Sequence, residues 1–78
     1  MRLDLLPVGT RAQVESVENV GSLTQRLMEM GVAPGAKVRL VRLAPLGDPL
    51  EIEVNDSLLA LRKTEARLVL VRAAADRA

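Results

Sequence analysis

The spacing of apolar residues along this chain changes several times, and each change predicts an element. Ala12, Val14 and Ser16 alternate with Gln13 and Glu15, which at a period of two predicts a half-buried strand after a turn at Gly9-Thr10. Upstream of it, Leu3, Leu5, Leu6 and Val8 are expected to seal one end of the core. Past Ser22 the period lengthens. Leu23, Leu27 and Met30 recur every three or four residues, which places them on one face of a helix of about two turns. Ser22 and Gln25 have the spacing of a capping box, in which the serine oxygen and the glutamine side chain satisfy amide donors at a helix start. Gly31 is the predicted stop, because glycine takes the left-handed backbone of a C-terminal cap without steric cost.

The period returns to two after Pro34-Gly35, a turn in which proline fixes one backbone angle and glycine accepts a positive one. Lys37 to Leu43 reads as the second strand, with Val38 and Leu40 facing inward. Leu50, Ile52 and Val54 alternate with Glu51 and Glu53, so the third strand has one apolar and one acidic face. Asn55-Asp56 suits the tight turn of a hairpin into a fourth strand at Ser57 to Leu61. A single turn around Thr64 to Ala66 precedes a closing strand at residues 68–71. Five short strands with one brief helix between the first two predict a mainly β fold, a small antiparallel barrel, because closure removes exposed edges. The domain is expected to span residues 1–72, with residues 73–78 as a C-terminal tail.

Composition limits what such a barrel contains. The chain has 78 residues, 49% of them hydrophobic, yet no Phe, Tyr or Trp. A domain of this size buries only about 60% of its unfolded surface. Its core must be built from Leu, Val, Ile, Ala and Met, each buried aliphatic side chain stabilising by about 1.5–3 kcal/mol. There is no cysteine, so neither a disulfide nor a zinc–thiolate cluster can reinforce it. Met1 to Pro7 lacks the long apolar run of a secretory signal, and no stretch approaches a membrane span.

Chemistry is limited in the same way. Without histidine or cysteine the chain lacks the usual general base and thiol nucleophile, and neither Ser16 nor Ser57 has an evident base beside it; an enzyme is not expected. Gly47-Asp48-Pro49 lacks the lysine and glycine pattern of a phosphate loop and reads as a turn, with Asp48 bonded to nearby amides. Glu51 and Glu53, with Glu15, Glu18, Asp48 and Asp56 elsewhere, are the material for a hard-cation site of carboxylates alone. Alternating charges on a strand are more simply a solvated face, so neither a metal nor a cofactor is expected. Lys37, Arg39 and Arg42 share a strand, with Arg26 nearby, but a formal charge of +1 and the absence of aromatics argue against nucleic acid. Duplex binding draws on an excess of positive charge, and single-strand binding on base stacking.

Several segments occur in a telling order: Leu6-Pro7-Val8-Gly9, then Arg26-Leu27, Glu29-Met30-Gly31-Val32 and Pro34-Gly35, then Gly47-Asp48-Pro49, and finally Leu59-Ala60-Leu61-Arg62 with Glu65-Ala66. In that order and at those intervals, across about residues 3 to 71, the chain resembles the FeoA family of bacterial ferrous iron transport. Ala36 stands where that family commonly has threonine, and Asn55-Asp56-Ser57 replaces a more glycine-rich turn. The resemblance implies an SH3-like barrel, cytoplasmic and peripheral to the inner membrane through its partner. It also implies a non-catalytic accessory role on a FeoB-type transporter, whose cytosolic region carries a GTPase domain, with membrane contact only through that transporter.

Protein docking is therefore the expected task, and the helix with its following loop the expected surface. Leu23 and Leu27 read as core. Met28, off that stripe, is the adaptable contact residue, and Leu46 at a loop tip is similar. Arg26 and Glu29 are expected as rim charges that set partner choice. Two other readings are a regulatory module like the SH3-like domain of metal-dependent transcription regulators, and weak homo-oligomerisation through an uncovered strand edge.

Overall fold

The computed structural model describes residues 1–73. After a 3-10 turn at Leu3–Leu5, the chain forms β1 (Arg11–Val17), α1 (Ser22–Glu29), β2 (Lys37–Leu43), a short turn at Pro45–Gly47, β3 (Leu50–Val54), β4 (Ser57–Leu61), α2 (Lys63–Ala66) and β5 (Val69–Ala73). All strand pairings are antiparallel, in the order β4-β3-β2-β1-β5. The strands expected at Lys37 to Leu43 and Ser57 to Leu61 have those bounds. The Asn55-Asp56 hairpin forms with both residues at positive φ, 48° and 73°, as a two-residue turn matching the strand twist requires.

The expected closure does not occur. β4 and β5 stand at the two ends of one sheet, so the closed barrel is corrected to an open five-stranded sheet. The outer edge of β5 is covered by the N-terminal residues instead. Arg2 bridges to Leu70, the Met1 terminal ammonium donates to the Val71 carbonyl at 3.1 Å, and Val71 N–H donates to the Met1 carbonyl at 2.7 Å. That cover satisfies one edge without a barrel seam.

The core is aliphatic throughout. Leu3, Leu27, Val32, Ile52, Leu61, Val69 and Val71 are wholly buried, together with Val38, Leu40, Leu50 and Val54. The N-terminal cluster divides: Leu3 and Leu6 are buried, whereas Leu5 and Val8 are exposed. A 3-10 turn repeats every three residues, so Leu3 and Leu6 share the inner side and Leu5 cannot join them.

Three further details depart from the pattern. In β1, Ala12 and Val14 are buried but Ser16 is exposed, because the register with β5 shifts between Val14 and Ser16. That bulge inserts a residue and turns Val17, not Ser16, toward the core. The capping box does not form: Gly21, at φ 80°, precedes α1 without a side-chain cap. Thr24 takes over, its hydroxyl accepting from Val20 N–H at 2.8 Å and donating to the Glu18 carbonyl. Finally, the closing strand begins at Val69 and extends to Ala73, which pairs with Ala12, past the expected boundary at residue 72. The rest of the expected tail, residues 74–78, lies outside the described residues.

Candidate functional site

The helix surface singled out by the sequence is set by how α1 ends. Gly31, at φ 97°, donates its N–H to the Met28 carbonyl, and Val32 N–H donates to the Leu27 carbonyl at 3.0 Å. These are the two bonds of a Schellman cap, and its usual apolar contact is supplied by Leu27 and Val32, both wholly buried. Anchoring one side this way leaves the other in solvent: Arg26, Met28 and Glu29 are exposed, Met28 by 42%. Leu23 is half-buried.

Leu46 sits elsewhere. A Cβ built on Gly31 would lie 3.6 Å from Val54 Cγ1, so α1 ends beside the Val54 end of β3. Leu46 belongs to the loop beyond the Leu43–Leu50 pair, at the opposite end of that strand. The structure thus groups Arg26, Met28 and Glu29 on one helix and sets Leu46 apart from them. Leu46 is fully exposed, 103%, and is held at φ 73°, a left-handed conformation that leucine rarely takes.

The loop carrying Leu46 is tied down at Asp48. Its carboxylate accepts a hydrogen bond from Lys63 N–H at 3.0 Å, and Glu65 accepts from Arg62 N–H at 2.8 Å. Two of the orphan amides at the start of α2 are satisfied in this way. Asp48 therefore bonds an amide as expected, but one fifteen residues away rather than a nearby one.

On the outer face of the sheet, Glu51 and Glu53, weighed as part of a cation site, engage Arg42 and Arg39 of the basic strand. Arg39 Nε is 3.2 Å from Glu53 Oε1, and Arg42 Nε is 2.9 Å from Glu51 Oε1. Each carboxylate sits opposite its guanidinium in the β2–β3 register, so neither sign is left as a free cluster. Among the described residues, no group of three or more Asp or Glu is arranged to hold a metal ion. No helix among them is long and apolar enough to cross a membrane.

One surface feature escaped the sequence reading: Leu58, 62% exposed, on the outermost strand. Its signal was available, because Ser57-Leu58-Leu59-Ala60-Leu61 breaks the apolar–polar alternation that a strand with one wet face should keep.

Comparison with known proteins decides the family, since residues 1–73 match the model of the FeoA domain. The chain belongs to the FeoA family. Over 71 residues it is 35% identical to a Fe(2+) transport protein A/Fe(2+) transporter FeoB fusion protein of Porphyromonas gingivalis, covering 91% of this chain and 8% of that one. The solution structure of a FeoA protein from Chlorobium tepidum is similar with a TM-score of 0.90 at 41% identity, over 100% of this chain and 74% of that one. The zinc-complexed crystal structure of Stenotrophomonas maltophilia FeoA, an SH3 domain protein, matches with a TM-score of 0.82 at 39% identity, covering 92% and 89% of the two chains. The fold is accordingly the SH3-like fold of FeoA proteins, and the chain falls in a family of ferrous iron transport.

Proposed function

We propose that this FeoA-family chain is a non-catalytic, cytoplasmic accessory protein that docks on the cytosolic face of a FeoB-type iron transporter and regulates or assembles it. The observation that carries this reading is the Porphyromonas gingivalis relative, in which transport protein A and FeoB are one polypeptide. Fusion holds two modules at high effective concentration, an arrangement that favours partners whose surfaces meet. The present chain spans 8% of that relative's length.

Docking uses the exposed side of α1. Met28 is the adaptable apolar contact, flanked by Arg26 and Glu29 as charges that select the partner. Leu46, at the other end of β3, is a second contact point, and its strained backbone accords with a residue held in place for binding.

The test is association of the purified chain with the cytosolic GTPase region of a FeoB transporter, together with the GTP hydrolysis rate of the complex. Met28→Asp and Leu46→Asp are expected to abolish association while leaving the circular dichroism spectrum unchanged. Binding retained by both variants would overturn this placement of the interface, and no binding by the unaltered chain would overturn the docking reading itself.

A further inference from the structure

The two ends of the sheet are treated differently. β5 is covered by Met1 and Arg2, whereas β4, at the other end, has a strand partner on one side alone among the described residues. We infer that β4 is an interface at which two copies of this chain pair edge to edge, antiparallel, with Leu59 on the two-fold axis.

Backbone direction is the first argument. Val54 and Ser57 flank a two-residue turn and pair with each other, which makes them a hydrogen-bonded pair, and the ladder then alternates. Ser57, Leu59 and Leu61 direct their N–H and C=O groups at β3, while Leu58 and Ala60 direct theirs away from it. Among the described residues no turn or loop hydrogen bond reaches Leu58 or Ala60.

The strand also lacks the usual edge protection. Natural edges are blunted by lysine, proline, bulges or inward-pointing charge. Ser57-Leu58-Leu59-Ala60-Leu61 has no charge and no proline, its register with β3 is unbroken, and Leu58 is 62% exposed. Isologous pairing satisfies both the free backbone groups and that side chain.

Charge selects the register. Asp56 and Arg62 stand three residues before and after Leu59. Antiparallel pairing about Leu59 sets Asp56 of each copy alongside Arg62 of the other, and Leu58 of each beside Ala60 of the other. The outward backbone groups of Leu58 and Ala60 are then mutual partners. Slipping the pairing by two residues brings Asp56 opposite Ala60 or Thr64 and forfeits both ion pairs. A single short strand buries little area, so the association is weak and concentration-dependent.

Sedimentation and light scattering across a concentration series test this. The expected result is a mass rising from 8.4 kDa toward twice that value at high micromolar to millimolar protein, with slowed amide exchange at Leu58 and Ala60. Ala60→Pro removes an outward N–H without touching the β3 ladder and is expected to hold the mass at that of the monomer. Arg62→Glu and Asp56→Lys, each placing like charges at both contacts, are each expected to weaken dimerisation by about tenfold or more, and an equimolar mixture of the two to restore it, since the mixed pair regains both opposite-charge contacts. A mass that stays monomeric at millimolar concentration, dimers that persist in Ala60→Pro, or a mixture no more dimeric than its components would overturn the inference.

Discussion

Asp48 Oδ1 accepts a hydrogen bond at 3.0 Å from the backbone N–H of Lys63, so a loop between two strands caps the helix that follows the next hairpin. Residues far apart in the chain thereby fix the end of the sheet from which Leu46 projects.

Removing that cap has a definite cost. Asp48→Ala is expected to lower stability by about 1 kcal/mol, as loss of a helix N-terminal cap does, and in a domain this small to depress Tm by about 4–8 °C. Asp48→Asn, which keeps an acceptor oxygen, should recover most of the loss. Thermal unfolding followed by circular dichroism makes the comparison, and equal Tm values for Asp48→Ala and the unaltered chain would show that the bond contributes nothing.

Gly31 can be tested against its neighbours. A Cβ there would meet Val54 Cγ1 at 3.6 Å, an ordinary contact, so Gly31→Ala is not obstructed by space. Its penalty is the left-handed backbone, φ 97°, which costs an L-residue about 1–2 kcal/mol. Urea unfolding should show a drop of that size with an unchanged m-value.

At Leu46 stability and docking should move in opposite directions. Asparagine tolerates the left-handed region better than leucine, and the leucine side chain is fully exposed and gains nothing from packing. Leu46→Asn is expected to raise stability by about 0.5–1 kcal/mol, a part of the left-handed penalty, and to weaken association with the transporter's cytosolic region. Differential scanning calorimetry and a binding titration on one preparation would reveal both effects.

The cross-strand pairs should matter little to stability. Arg39 and Glu53 are 3.2 Å apart with side chains 37% and 38% exposed, and pairs so exposed couple by about 0.2–1 kcal/mol. A double-mutant cycle with Arg39→Ala and Glu53→Ala should return a coupling in that range at low salt and a smaller one at high salt, where screening shortens the reach of the charges. A coupling above that range would mean that the pair acts within a larger network.

Most of the secondary structure and the inward set were legible because both depend on local rules. Val38, Leu40, Leu50, Ile52 and Val54 are buried as their alternation requires, and Gly31 ends α1 because no other residue type takes that backbone as readily. Failures fell where one residue changes the phase. Ser16 was displaced by the β1 bulge, and Leu5 was turned outward by the 3-10 turn at Leu3–Leu5, while Val8, beyond that turn, is also exposed. Ser22 and Gln25 carried a valid local signal that lost to Thr24, whose hydroxyl bridges Val20 and Glu18.

By itself, then, the sequence determined the hairpin at Asn55-Asp56, the helix stop at Gly31 and the aliphatic core, since each rests on residue type and short-range spacing, while the resemblance to the family was carried by the order of segments along nearly the whole chain. Tertiary structure alone decided that the sheet stays open, that Arg39 and Arg42 engage Glu53 and Glu51, that Asp48 caps a distant helix, and that Met28 and Leu46 belong to different ends of β3. Those outcomes depend on strand order and register, and a chain read residue by residue does not say which strands become neighbours.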